Sequence, residues 1–77
     1  MNGQIAEALA QLYSQIFGQP CAGLFDDTLS QFTFTASGEF GIISFHISSA
    51  DVERLNIYRL LSIMRNKYNE KYWEMRY

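Results

Sequence analysis

From Ala50 to Tyr77 the chain has neither glycine nor proline, and all 6 of its lysines and arginines fall within residues 54–77. A stretch free of both breakers can run on as one helix. Ser48 stands where an N-cap belongs, and Asp51 three residues on approximates a capping box. Asp51 and Glu53 also suit the positive end of the helix dipole. The sequence therefore predicts a helix over about 49–74, roughly 37 Å long at the α-helical rise. A domain this small cannot cover that length, so part of the helix is expected to project or to meet another chain. Its wheel carries two apolar stripes. Ile57, Leu60, Leu61, Met64, Tyr68, Tyr72 and Met75 form one, while Val52, Leu55, Ile63, Trp73 and Tyr77 gather on another side. Two apolar faces imply two packing surfaces: one is the hairpin and first helix, and the other is left unassigned.

Charge divides at the same place. Residues 1–53 hold Glu7, Asp26, Asp27, Glu39, Asp51 and Glu53 with no cation, a net −6. Residues 54–77 set Arg54, Arg59, Arg65, Lys67, Lys71 and Arg76 against Glu70 and Glu74, a net +4. An acidic body carries a basic tail.

The body reads as a helix followed by a hairpin. Ile5, Leu9, Leu12 and Ile16, with Ala8 and Tyr13, follow helical spacing over about 3–17. Asn2 is placed to cap this helix, and Gly18 with Pro20 to end it. Residues 18–27 carry two glycines, a proline and paired acids without either period, and read as a connection. A hairpin follows over about 28–47. A two-residue turn at Ser37-Gly38 would set Phe34 opposite Gly41 and Phe32 opposite Ile43. Phe32, Phe34, Ile43, Phe45 and Ile47 then share a core face. Leu29, Gln31, Thr33, Thr35, Phe40, Ile42, Ser44 and His46 lie on the other, where Phe40 and Ile42 are out of place among polar neighbours. The fold class expected is α+β, order α-β-β-α: one antiparallel hairpin with two helices on one face.

At 77 residues and 48% hydrophobic content the chain is one folding unit. Chains of this size bury a modest share of their surface, and a single cysteine excludes an internal disulfide, so a homodimer is the expected staple. No secretory pattern follows Met1 and no apolar run is long enough to span a membrane, which points to a cytoplasmic protein without membrane contact.

The chain lacks a phosphate-binding glycine loop, paired metal-ligand cysteines and an H-E-x-x-H helix. Neither a Cys21/His46 nucleophile pair, nor a cation site of Asp26-Asp27 with His46 or Glu39, nor a His46 pH switch is specified by any spacing. The expectation is a protein that is not an enzyme and takes no cofactor or metal. Interface centres favour aromatics, methionine and arginine. The residues expected to contact a partner protein are Phe40, Ile42, Tyr72, Trp73, Arg76 and Tyr77. The chain is thus expected to be a small adaptor, regulator or inhibitor of another protein, of the kind phages or mobile elements turn on a host complex. The alternative is a dimeric nucleic-acid-binding regulator with Arg65, Lys67, Lys71 and Arg76 on phosphates. Against that alternative stand Glu70 and Glu74 within the basic surface and a pI near 5.1.

Overall fold

The computed structural model describes residues 2–39 and 41–76, with side-chain surroundings as far as Lys71. The first helix, α1, spans Asn2–Phe17. It ends as its sequence predicts: Gly18 takes φ +68° and donates its N–H to the Ser14 carbonyl at 2.9 Å. Its buried stripe is Ala6, Leu9, Ala10 and Tyr13. Ile5, Leu12 and Ile16, expected in the core, remain 42%, 36% and 56% exposed. The helix is rotated so that its two alanines face the sheet, which lets its backbone come closer than a face of large side chains would allow.

The three strands are β1 (Cys21–Asp26), β2 (Gln31–Gly38) and β3 (Gly41–Ser48), antiparallel in that spatial order. The connection read at 18–27 is thus corrected: most of it is an edge strand. Its period of two is hidden because an inward position, between Cys21 and Phe25, is Gly23 rather than an apolar side chain. An ideal Cβ at Gly23 would lie 2.6 Å from the Ala6 carbonyl oxygen and 2.8 Å from the Phe34 ring. Only glycine lets α1 settle this closely on the sheet.

The hairpin register is also corrected. Phe34 faces Phe45, Phe32 faces Ile47 and Gly38 faces Gly41, so the turn lies beyond Ser37-Gly38. Large side chains now oppose each other across the strands, with the Phe34 and Phe45 rings 5.8 Å apart. Gly41, at φ +95°, takes the backbone conformation that an L side chain resists. The shift is by an even number of residues, so the same five side chains still point inward, and Phe32, Phe34, Ile43, Phe45 and Ile47 are all buried.

The single C-terminal helix becomes two, α2 (Ser49–Arg54) and α3 (Ile57–Arg76). The Ser48 hydroxyl accepts the Asp51 N–H at 3.2 Å, the expected N-cap. Leu55 is extended, and the Asn56 side-chain oxygen accepts the Arg59 N–H at 2.9 Å, starting a second helix. The break changes the helical phase. Val52, Leu55 and Ile63, from the stripe whose packing surface the sequence leaves unassigned, pack against the core alongside buried Leu60, Leu61, Met64 and Tyr68. The order is therefore α-β-β-β-α-α, an α+β domain with α1 and α3 packed against the sheet.

Candidate functional site

The open face of the sheet is built by alternation. Ala22, Leu24 and Asp26 on β1, Thr33 and Thr35 on β2, and Ile42, Ser44 and His46 on β3 point away from the core. Its centre is a hydroxyl ladder. Thr35 and Ser44 hydroxyls lie 3.0 Å apart, and the Thr33 hydroxyl is 3.0 Å from His46 Nδ1. At the corners stand Leu24, 58% exposed, and Ile42, 72% exposed. Ile42 borders a shallow, largely apolar depression with Pro20, Ala22 and Thr35. The sequence expectation for Ile42 as an exposed apolar residue on the polar face agrees with this position.

The other residues expected to bind a partner are placed differently. Phe40 and Tyr77, and the side chains of Tyr72, Trp73 and Arg76, lie outside the described residues. Lys67 and Lys71 border the outer edge of β3 together with Glu70 and His46. Lysines beside an unpaired strand edge discourage pairing with another such edge. Arg65 is held apart from them. Its guanidinium carbon lies 5.6 Å from the ring centroids of both Phe17 and Tyr68.

Beneath Arg65 runs a buried polar cluster. The Tyr13 hydroxyl donates to Gln19 Oε1 at 2.7 Å, and the Tyr68 hydroxyl donates to the Gly41 carbonyl at 3.0 Å. A side chain at Gly38 would collide with the Gln19 amide and the Tyr68 hydroxyl. Arg65 Nη1 is buried without a hydrogen-bond partner, a deficit that typically costs about 1–3 kcal/mol. Arg65 also lines a groove of about 250 Å³ with Ile16, Phe17, Tyr58, Leu61, Ser62 and Asn66. Tyr58 is 80% exposed on its rim. Sequence reading missed this groove because Ile16 was assigned to the core and Tyr58 belonged to neither stripe.

No catalytic constellation assembles from the candidates named above. Cys21 faces the core side of β1 and His46 the open side of β3, with β2 between them. The Asp26 carboxylate accepts the N–H groups of Thr28 at 2.9 Å and Leu29 at 3.2 Å, shaping the turn into β2. Among the described residues there is no cluster of three or more His, Cys, Asp or Glu side chains arranged to hold a metal, and no helix long and apolar enough to cross a membrane.

Burial pushes the Cys21 thiol up to about 11. Burial likewise raises Tyr13 above the usual phenol range, an effect partly opposed by the nearby Arg65 guanidinium. In both cases the folded state holds its proton more tightly than the unfolded chain. The stabilisation is therefore complete below the ordinary thiol range and is lost as pH rises toward 11. Urea midpoints should fall across that window, and less steeply in Cys21→Ala; equal slopes would contradict the assignment to Cys21. Alkylation of the folded protein by iodoacetamide at pH 8 should run roughly a hundredfold slower than for an exposed thiol.

Comparison with protein-family models, curated proteins and solved structures returns no match for this chain.

Proposed function

We propose that this chain is a non-enzymatic protein-binding module, a small adaptor, regulator or inhibitor of a partner protein, that works as a homodimer in the cytoplasm. The observation that carries the reading is Ile42. A branched apolar side chain stands 72% exposed beside an apolar depression, on a sheet face with no covering layer among the described residues. Local structure gives no reason for it: the strand would form equally well with threonine there, as at Thr33 and Thr35. Exposed apolar groups rimmed by hydroxyls are what a protein partner buries. The dimer is a separate part of the reading and rests on the small size of the chain and its lack of an internal disulfide. Regulation of the phage or mobile-element type is one form such a module takes.

The test is affinity capture from source cells with the native chain and with Ile42→Asp, followed by mass spectrometry. Ile42→Asp should leave the circular dichroism unchanged and lose the specific partner. Retention of every partner by the variant would sink the reading. Light scattering should report twice the 8.9 kDa chain mass; a mass of 8.9 kDa at micromolar concentration would refute the dimer. The nucleic-acid alternative would rest on Lys67 and Lys71 as the described cations beside the β3 edge, with Glu70 between them in sequence. It predicts binding that weakens steeply with salt.

A further inference from the structure

We infer that the groove between α1 and α3 is a second docking site, and that its occupant is an acidic amphipathic helix of a partner protein. The inference goes beyond the open sheet face and stands without it. Tyr58, Leu61, Ser62, Arg65 and Asn66 recur at helical spacing along one side of α3, giving the groove a length of roughly 12 Å. Its floor and near wall, Leu61, Phe17 and Ile16, are apolar. Ile16 and Tyr58 are 56% and 80% exposed, so the groove lacks a lid among the described residues. A trough of this shape takes the apolar stripe of a helix, with side chains one turn apart.

Charge identifies the occupant further. Among the described residues Arg65 is the one charged residue lining the groove and no carboxylate lines it, although the charged residues before Arg54 are all acids. The guanidinium carbon lies 5.6 Å from the ring centroids of both Phe17 and Tyr68; Nη1 is buried, but Arg65 as a whole is half-buried and lines the groove. A guanidinium so positioned is set to take a carboxylate in fork geometry, at little further loss of side-chain freedom. An occupant with an apolar side chain in the trough and a glutamate one turn on satisfies both features. A second copy would have to bring such a glutamate within its own apolar stripe. Described α1 carries one acid, Glu7, four residues from exposed Gln11 and away from the Leu12–Ile16 end.

The probe is an acetylated, amidated helical peptide with leucine and tryptophan four residues apart and glutamate four further on, alongside its glutamine counterpart. Both are titrated into the isotopically labelled chain and followed by NMR. The glutamate peptide should perturb Ile16, Tyr58, Leu61 and Arg65 and bind at least tenfold more tightly than the glutamine peptide. Tyr58→Ser, at an exposed position that the fold does not need, should weaken both peptides about tenfold. Arg65→Gln should abolish the preference for glutamate while keeping the weaker apolar binding. Ile42→Asp should change nothing, which separates this site from the open sheet face. Equal affinity for the two peptides would overturn the proposal, as would perturbations confined to the open face. So would groove resonances that shift with protein concentration alone, which would assign the groove to a second copy. Displacement of the peptide by a single-stranded thymidine oligonucleotide would overturn it in favour of nucleic acid.

Discussion

Gly23→Val is expected to leave the chain unfolded at room temperature, while Gly3→Ala raises its stability. The two glycines have opposite surroundings. A Cβ at Gly3 meets nothing within 4 Å, whereas at Gly23 it would lie 2.6 Å from a backbone oxygen of α1 and 2.9 Å or less from two atoms of the Phe34 ring. The oxygen belongs to a helix that cannot move alone, and the ring is fully buried among Phe32 and Phe45. Neither neighbour can yield without lifting α1 from the sheet. Overpacking by one methyl in a close-packed core costs about 1–3 kcal/mol. Valine adds two more carbons in the same space, and a domain this small has only about 3–5 kcal/mol in reserve. Gly3, in the first turn of α1, gains about 0.5 kcal/mol from reduced backbone freedom in the unfolded state. Thermal melts of Gly23→Ala, Gly23→Val and Gly3→Ala would decide the matter. A Gly23→Val protein melting like the native chain would mean that α1 does not sit on β1 as described.

Tyr68 is expected to show the next largest effect, in two separable parts. It is fully buried, it hydrogen-bonds the Gly41 carbonyl at the start of β3, and its ring supports the Arg65 guanidinium. Tyr68→Ala removes a large core side chain at a cost of about 3–5 kcal/mol. Tyr68→Phe keeps the ring and removes only the hydroxyl, leaving the Gly41 carbonyl short of its donor, for about 0.5–1.5 kcal/mol. Urea denaturation of the two variants separates packing from hydrogen bonding. If Tyr68→Phe were as damaging as Tyr68→Ala, the polar cluster beneath the groove, rather than the ring, would hold α3 to the hairpin end.

These two residues also mark the limit of what was legible beforehand. Tyr68 belongs to a stripe of large apolar residues at helical spacing, and that pattern placed it correctly in the core. The inward set of the hairpin was legible for a similar reason: alternation survives any even shift of register, so its face was right while its partners were wrong. Gly23 sends no such signal. Its role is to lack a side chain where α1 passes, and hydrophobic patterning does not register an absence. The same blindness misplaced the face of α1, where Ala6 and Ala10 outrank the larger Ile5, Leu12 and Ile16 because small residues permit close approach. Ile42 was legible as an apolar residue out of phase with its strand. The groove was not, since it forms only where the end of α1 meets the start of α3.

What the sequence alone determined is the period of each strongly patterned element, the inward face of the hairpin, the cap at Ser48 and the separation of acidic from basic residues along the chain. These follow from local sterics and from alternation, which need no distant contact. Tertiary structure decided the rest. The third strand, the turn beyond Gly38, the helix break at Leu55-Asn56 and the placing of Arg65 between two rings each depend on a surface supplied by another part of the chain. Asn56 shows why. An asparagine is tolerated within a helix and preferred at an N-cap, so the residue alone permits either, and here the break lets Val52, Leu55 and Leu60 share one core.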